Sequence, residues 1–233
     1  MTMNDSCKDS KWIWVTDGVT VNEVSCVQYL SHMGSDYDVC NAARVSFDKQ
    51  ANNYTYEENA KLIKYLAEHD HWSPFSHCYM KFRFNAPMFI ARQFQKHVVG
   101  FAWNEVSRRY VSSDPVFFVP DAWRKRPPNM KQGSVLRGSV KMEGEVLDNY
   151  INQMREHVKD YKHMLQQAIC PEQARMCMPQ SMMTQWIWSG SVAAWARFIK
   201  LRSDTHAQME CRPYAEAVKF HLQAKFPECA KVL

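Results

Sequence analysis

The sequence predicts a single globular domain that mixes helices with strands, and three observations lead to that expectation. Of the 233 residues, 46% are hydrophobic and 13% are aromatic, which suits a chain with a core and not a disordered one. Residues 56–68 repeat apolar side chains with the helical period, which predicts an amphipathic helix. Residues 78–84 alternate with the strand period, which predicts a strand with Met80, Phe82 and Phe84 on its apolar face.

The other elements are predicted from similar local patterns. Scattered apolar residues within 11–30 indicate an early strand with its turn, whereas residues 69–77 are too polar, and too interrupted by proline, for a helix. Pro87 is typical of the start of a helix. The predicted helices after it cover residues 88–97, 147–168, 191–207 and 212–224, with a short segment at 172–179 that ends at a proline.

Residues 121–146 differ from their surroundings because they are basic and rich in proline and glycine. We predict an exposed basic loop insertion there, without a domain boundary. The alternative is an arm that attracts phosphate groups.

Charge and hydropathy narrow the class of protein. The net charge of +5 is compatible with an anionic small molecule and does not require a nucleic acid. No apolar run approaches the length of a membrane span, and the first residues lack the apolar core of a signal peptide. We therefore expect a cytoplasmic protein with neither a membrane nor a nucleic acid as partner.

The cysteines argue against a zinc cluster, because no two of them form a C-x-x-C pair. In a cytoplasmic chain they should stay reduced, and we predict that most are small buried hydrophobes. No local pattern supports a catalytic cysteine. The eight are Cys7, Cys26, Cys40, Cys78, Cys170, Cys177, Cys211 and Cys229.

The densest polar chemistry lies in residues 104–110, Asn-Glu-Val-Ser-Arg-Arg-Tyr. In an extended backbone, Glu105, Ser107 and Arg109 would share one face and point at one ligand. In a helix, Glu105 and Arg109 would instead form an ion pair one turn apart. Further cations and donors precede this segment within residues 92–97. The combination suits a phosphorylated, planar and polar substrate better than it suits packing.

Three histidines, His69, His71 and His77, form a second candidate site. Three imidazoles can bind a metal ion, but no cysteine or acidic pair stands at ligand spacing, and Trp72 and Pro74 intervene. We therefore predict a loop histidine that contacts a ligand, and no metal.

Arg175 is a third candidate, because it stands in an otherwise apolar segment between Ala174 and Met176. An arginine in such a place often forms a buried structural ion pair, here with Glu172. Recognition of a phosphate or a base is the alternative.

Residues 195–210 carry mixed charges that a helix would sort into two stripes. Surface salt bridges are the usual meaning of such a pattern. Together with Arg109 and Arg175, however, these residues supply an arginine for each end of an anionic nucleotide. The first stripe is Phe198, Arg202 and His206, and the second is Arg197, Asp204 and Gln208.

Four segments together resemble one family, the flavin-dependent thymidylate synthases. The specific motifs are Asn-Glu-x-Ser-x-Arg-Tyr, Pro-Glu-x-Ala-Arg with a later Trp-x-Trp, and Leu-Arg-x-Asp-x-His-Ala-Gln. The four segments are residues 41–47, 71–77, 91–110 and 171–212. The resemblance implies an α+β fold, with an antiparallel sheet and packed helices, and a homotetramer whose active sites lie between subunits.

The resemblance also implies an activity, the conversion of dUMP to dTMP with methylenetetrahydrofolate, FAD and NADPH. In that family the flavin, reduced by NADPH, delivers hydride to the pyrimidine, and no cysteine attacks the ring. Chemistry of this kind belongs to the cofactor, while the protein positions and polarises the reactants.

Site residues follow from the resemblance position by position. Arg202 matches the catalytic arginine that stabilises the ionised pyrimidine, and His71 matches a histidine near the flavin and the folate. Positions that contact dUMP in the family are Gln93, Lys96, Glu105, Ser107, Arg109, Arg175 and Arg202. Positions that contact FAD are Ser73, Lys96, His97, Glu105, Ser191 and Arg197.

On the flavin side the chain departs from the family pattern. The Arg-His-Arg signature is Lys-His-Val at residues 96–98, and one extra residue follows near Gly100. Ser191 and Arg197 stand at asparagine positions, and Ala193 stands at an arginine position. The nucleotide-binding positions Ser107, Arg109, Arg175 and Arg202 match the family. Such divergence would suit a viral or phage member.

Two other functions remain open at this point. The one-carbon unit could end as a hydroxymethyl group on dUMP or dCMP, although an arginine at 202 favours a uracil ring. The basic segment 121–146 would support a non-catalytic module that binds a nucleotide or a nucleic acid.

Overall fold

A computed structural model describes residues 13–16, 19–21, 26–111, 113–120, 122–128, 134–141 and 144–233. Its strands are Ile13–Thr16 (β1), Val19–Val21 (β2), Cys26–Met33 (β3), Tyr79–Pro87 (β4), Phe101–Glu105 (β5), Phe117–Val119 (β6), Ala122–Lys125 (β7), Val135–Lys141 (β8) and Met183–Ser191 (β9). Its α-helices are Asp36–Arg44 (α1), Tyr56–Glu68 (α2), Met88–Phe94 (α3), Glu145–Gln166 (α4), Pro171–Ala174 (α5), Val192–Arg202 (α6), Arg212–Lys225 (α7) and Pro227–Val232 (α8).

The strands form three sheets in the described part of the chain. The largest has the order β3-β4-β9-β5, so β9 lies between β4 and β5, which both precede it in sequence. A smaller sheet, β2-β1-β6, is antiparallel and pairs Trp14 with Val21 on one side and with Phe118 on the other. β7 and β8 form an antiparallel ribbon. The predicted α+β fold with antiparallel strands is confirmed.

The chain divides into two compact units, which are described separately. The first comprises the described parts of residues 1–26, 85–94 and 105–186. The second comprises residues 27–84, 95–104 and 187–233. The single domain expected from sequence stays a prediction.

The core of the second unit is built from aromatic rings on β4, β9 and α6. Phe82, Trp188, Trp195 and Phe198 are fully buried. The Trp188 and Trp195 rings lie 4.9 Å apart at a steep angle, and Trp195 Nε1 donates to the Met80 carbonyl at 3.1 Å. Edge-to-face ring pairs of this kind add to the free energy gained by burial. This cluster fixes the position of α6.

In the first unit, α4 packs its apolar stripe against β6 and the start of β9. Met154 and Val158 from the helix are buried together with Phe117 and Met182. Phe117 and Met182 also pair as an isolated antiparallel bridge. The sequence pattern of α4 therefore reflects a core contact along one face of a long helix.

Two elements predicted from periodicity are confirmed closely. The helix predicted over 56–68 has the same bounds as α2 and begins with a capping box between Thr55 and Glu58. In β4 the exposed and buried side chains alternate, with Met80, Phe82 and Phe84 inside.

Helix ends were predicted less well. α3 ends at Phe94, not at residue 97, and α6 ends at Arg202, not at residue 207. The two predicted stripes of residues 195–210 are therefore wrong beyond Arg202. Asp204 explains part of this, because its carboxylate accepts from both the backbone N and the Nδ1 of His206. Such a local side-chain turn competes with helix formation.

The segment predicted as a basic loop insertion contains the β7–β8 ribbon, so it is not a simple loop. Its residues 121, 129–133 and 142–143 lie outside the described part of the chain. Arg124 Nε donates to the Ser134 hydroxyl at 2.6 Å within this ribbon.

The prediction that most cysteines are small buried hydrophobes is confirmed for four of the six whose burial is described. Cys40, Cys78, Cys211 and Cys229 are buried and are not in disulfides. Burial raises the pKa of the Cys40 and Cys78 thiols to about 11 and that of Cys211 to about 12. These thiols stay protonated near neutral pH, which makes them poor nucleophiles. Of the remaining four, Cys170 is exposed, Cys177 is half-buried, Cys7 lies outside the described residues, and the side chain of Cys26 is not described.

No helix among the described residues combines the length and the apolar character that a membrane crossing requires.

Candidate active site

The polar segment after β5 forms a turn that begins at Ser107. β5 ends at Glu105, and the Ser107 carbonyl accepts from the backbone N of Tyr110 at 3.0 Å and of Val111 at 3.2 Å. The first alternative, an extended backbone over 105–109, is therefore wrong from Ser107 onward. The Ser107 hydroxyl accepts from the Arg109 backbone N at 3.3 Å, which stabilises the turn locally.

This turn still brings Ser107 and Arg109 together, although by a different geometry from the one predicted. Arg109 Nε lies 3.4 Å from the Ser107 hydroxyl. The Arg109 guanidinium also forms an ion pair with Glu172, with Nη1 3.3 Å from the carboxylate Oε1. The Glu105 carboxylate accepts a hydrogen bond from the Thr184 hydroxyl at 2.6 Å. The alternative of a Glu105–Arg109 helical pair is also wrong.

A cavity of about 680 Å³ opens in the first unit beside this turn. Three residues assigned to dUMP by the resemblance, Glu105, Ser107 and Arg175, line it. Gln93 and Arg109 belong to the same unit but are not among its lining residues. Arg92, one of the cations and donors noted within residues 92–97, also lines the cavity. Polar side chains in the lining to which sequence analysis assigned no role are Asn85, Arg108, Ser113, Asp114, Gln180, Thr184 and Gln185.

Arg175 does not form the structural ion pair that was one of its two interpretations. It follows α5 in a short 3₁₀ turn, and its Nε donates to the Glu172 backbone carbonyl at 3.3 Å. The Glu172 carboxylate is bound by Arg109 instead. Arg175 is exposed. Its charge is therefore not neutralised by Glu172, and it lines a cavity that would suit an anion.

For dUMP, the ligand that the resemblance implies, Glu172→Gln is expected to tighten binding about two- to fivefold, because it removes a carboxylate that pairs with Arg109 and would repel a phosphate. Calorimetric titration with dUMP measures this, and the gain should shrink at high salt. Glu156→Gln is the matched control, since Glu156 pairs with Lys159 on the exposed side of α4. Equal affinity of the Glu172→Gln variant and the parent would show that the pair does not compete with the ligand.

In the second unit, Arg202 meets His97. Arg202 is the last residue of α6, and its Nε donates to His97 Nε2 at 2.9 Å. The His97 ring packs edge-on against Phe198, with centroids 5.3 Å apart, and against Trp188 at 6.4 Å. Burial first, then the charges of Arg202 and Arg197, lower the pKa of His97 to about 4.

The His97 pKa has a defined effect on stability. The His97 ring binds a proton more tightly in the unfolded chain than in the folded one. Its contribution to the free energy of unfolding is therefore fully present above about pH 6.5. This contribution is lost as the pH falls from there toward about 4.

The loop after His97 is bound to the N-terminus of α6. Arg197 donates to the Val99 carbonyl at 3.1 Å, and the Gly100 carbonyl accepts from the Ser191 backbone N at 3.0 Å. The Ser191 hydroxyl is buried and caps α6 by accepting from the Ala194 backbone N at 3.2 Å. Two residues assigned to FAD by the resemblance therefore also hold this loop in place.

Gly100→Ala is expected to lower the free energy of unfolding by about 1–3 kcal/mol. Gly100 has φ +80°, and an added Cβ would lie 3.0 Å from both the Ala194 Cβ and the Ser191 Oγ. Urea unfolding measures the loss. Gly144→Ala is the control, because Gly144 has φ +68° but open space around it. If both variants lose the same stability, the contacts at Gly100 contribute nothing.

The remaining predicted residues of the second unit are exposed. They are Ser73, which precedes a 3₁₀ turn at Pro74–Ser76, His71, and Lys96. The His69 and His71 rings lie 6.3 Å apart. Within the described ranges, no group of three or more histidine, cysteine or acidic side chains is arranged to hold a metal ion.

These features define a class of protein. An α+β chain presents a cavity lined by three arginines, two serines and two carboxylates, which is the chemistry of a site for a small, polar, phosphorylated ligand. A second arginine site, at Arg202, is held by a neutral histidine.

Comparison with known proteins gives the family. The chain matches the model of the thymidylate synthase complementing protein family over residues 28–228. It is 35% identical to the flavin-dependent thymidylate synthase of Thermosipho africanus over 195 residues, which is 84% of each chain. It is 33% identical to that of Kosmotoga olearia over 209 residues, which is 90% of each. The chain belongs to this family, and the predicted enzyme class, flavin-dependent thymidylate synthase, is confirmed.

A solved structure agrees with the sequence relatives. The UMP/dUMP methylase PolB from Streptomyces cacaoi, bound with 5-Br dUMP, matches with a TM-score of 0.78 and 27% identity over 89% of this chain and 93% of that one. The same enzyme bound with 5-Br UMP matches with a TM-score of 0.71.

Sequence analysis missed part of the cavity. Arg92 was counted among the cations that favour a phosphorylated ligand, but Arg108, within the polar segment, was given no role because charge alone gave no reason to place it at the ligand. Thr184 is a buried residue of β9, whose side chains alternate between buried and more exposed. That alternation could have predicted that Thr184 faces inward, but not that it bonds to Glu105.

Proposed function

We propose that this protein catalyses the reductive methylation of dUMP to dTMP, with methylenetetrahydrofolate as carbon donor, FAD as cofactor and NADPH as reductant. The observation that carries the proposal is the cavity of the first unit, where Glu105, Ser107 and Arg175 come together. These are three of the positions that bind dUMP in the family. The bound nucleotide analogues of the Streptomyces cacaoi methylase support a pyrimidine nucleotide as ligand.

In this proposal each assigned residue contributes a particular kind of group. The Arg175 guanidinium and the Ser107 hydroxyl bind the phosphate, since a planar cation and an O–H donor match its oxygens. Glu105 offers a carboxylate acceptor that Thr184 already orients. Arg202 stabilises the negative charge that develops on the pyrimidine, because a guanidinium stays charged throughout the reaction.

The residues assigned to FAD suit its chemistry. The exposed cations Lys96 and Arg197 match a pyrophosphate, and the exposed Ser73 hydroxyl can donate or accept a hydrogen bond. Ser191 contributes by capping α6 and holding the adjoining loop. When bound, the flavin supplies the hydride-transfer chemistry that no side chain provides.

Self-association as a homotetramer belongs to the proposal. The second unit exposes large apolar side chains that a monomer would leave in water, including Phe47 at 75%, Trp72 at 60% and Val98 at 69% exposure. Light scattering during gel filtration measures the mass, and a monomer at micromolar concentration would contradict this part.

A second candidate substrate is UMP. The structural relative is named a UMP/dUMP methylase and has been crystallised with 5-Br UMP as well as 5-Br dUMP. Parallel titrations with dUMP and UMP, each followed by a turnover assay, decide which sugar this chain prefers.

The first experiment is the visible absorption spectrum of the purified protein after FAD has been added, with and without dUMP. We expect the flavin band to stay with the protein through gel filtration and to shift when dUMP is added. If the flavin band is neither retained nor shifted, that result favours the non-catalytic binding module. Mass spectrometry of the product then separates dTMP from a hydroxymethyl nucleotide, which is heavier by one oxygen.

A further inference from the structure

His97 and Arg202 form a contact whose chemistry is defined by its geometry. Arg202 Nε can only donate a hydrogen bond, so His97 Nε2, at 2.9 Å, must accept it. An acceptor nitrogen carries no proton, and the neutral ring therefore has its proton on Nδ1. The bond to His97 uses the inner nitrogen of the guanidinium, Nε.

The histidine is itself held in place. Phe198 and Trp188 pack on its ring, and both are fully buried. The residues that follow His97 are tied to α6 through Val99 and Gly100. An acceptor so constrained restricts the rotation of the Arg202 side chain, which extends from the last residue of α6.

The charges around the ring favour the same neutral state. Arg202 and Arg197 both disfavour a protonated imidazole, as does burial, and no carboxylate contributes to the shift of its pKa. A protonated His97 would lose its acceptor and would repel the guanidinium that it now orients.

We propose that His97 is a positioning residue that holds the Arg202 guanidinium, through its Nε2 acceptor, in the orientation required by the nucleotide. This inference rests on the proposed function, which assigns Arg202 to the pyrimidine. It gives His97 a role toward dUMP that acts through Arg202 and that does not depend on contact with the flavin.

The test compares two variants that differ in where they place an acceptor. The amide of His97→Gln reaches the level of Nε2, whereas that of His97→Asn is too short. At saturating FAD we expect His97→Asn to lower kcat for dUMP about 10- to 100-fold and His97→Gln to stay within about threefold of the parent. His163→Asn, on the exposed face of α4, is the control for a histidine substitution.

A double-mutant cycle identifies the route of the effect. The dissociation constant of dUMP is measured for the parent, His97→Asn, Arg202→Gln and the double variant, all with FAD present. If His97 acts through Arg202, His97→Asn weakens dUMP binding in the parent and has no further effect in Arg202→Gln. Equal factors in both backgrounds would overturn the proposal, as would equal losses for the Gln and Asn variants.

Failure of the inference differs from failure of the proposed function. If the parent binds no dUMP, the proposed function falls, and the same four proteins still report the contact through their unfolding free energies. Coupling in unfolding without coupling in dUMP binding would reduce His97 to a structural partner of Arg202 and would overturn the positioning role.

Discussion

Arg202→Ala is expected to lower turnover of dUMP about 100- to 1,000-fold while the fold is kept. The guanidinium lies at the end of α6, and in the proposed reaction it is the group that stabilises negative charge on the ring. The fold should be kept, because Arg202 is the last residue of α6 and is only partly buried. Single-turnover kinetics with saturating FAD and dUMP measures the chemical step separately from binding.

Lys200→Ala is the matched control for this variant. Lys200 is an exposed cation in the same last turn of α6, so its loss has the same effect on the helix dipole without touching the contact with His97. Arg202→Lys should recover little activity, since an ammonium group keeps the charge but has no Nε donor for His97. Near-parental activity of Arg202→Ala would remove the assigned role.

Arg175→Ala is expected to weaken dUMP binding about 10- to 100-fold, the range for a lost charge-assisted hydrogen bond to phosphate. Arg175 is exposed, lines the cavity and shares no ion pair with Glu172. Its effect should appear in the dissociation constant and much less in kcat, because the phosphate does not change charge during the reaction. Calorimetric titration with dUMP measures it.

Arg155→Ala serves as the comparison for Arg175→Ala. Arg155 is exposed on α4 and donates only to Asn152, one turn earlier, at 3.1 Å. Arg155→Ala removes the same amount of positive charge as Arg175→Ala without altering the cavity lining. If both variants weaken binding equally, the effect is one of net charge, and Arg175 has no specific place in the site.

Local sequence patterns were sufficient to predict those helices and strands whose buried face follows from the spacing of their own apolar residues. The bounds of α2 were predicted without error and those of β4 within three residues, because helical and strand periods place apolar side chains on one face regardless of what covers them. The polar motifs were likewise recognisable in the sequence, and three of the five nucleotide-contact positions that fall in the first unit line its cavity.

Predictions from periodicity failed where a side-chain hydrogen bond to the backbone ends a helix or a strand. The Ser107 hydroxyl ends the extended segment after β5, and Asp204 bonds to His206 just beyond the end of α6. Residues such as serine and aspartate can support either a regular element or a turn, and the choice depends on what the rest of the chain places around them.

The residue types of the candidate site, and the family to which the chain belongs, could be recognised from sequence alone because short motifs preserve order and spacing. The pairing of those residues was decided only by the tertiary structure. Arg109 meets Glu172 across 63 positions, and Arg202 meets His97 across 105. No local period relates residues so far apart in sequence, since their contact depends on how whole elements pack and on the burial that keeps His97 a neutral acceptor.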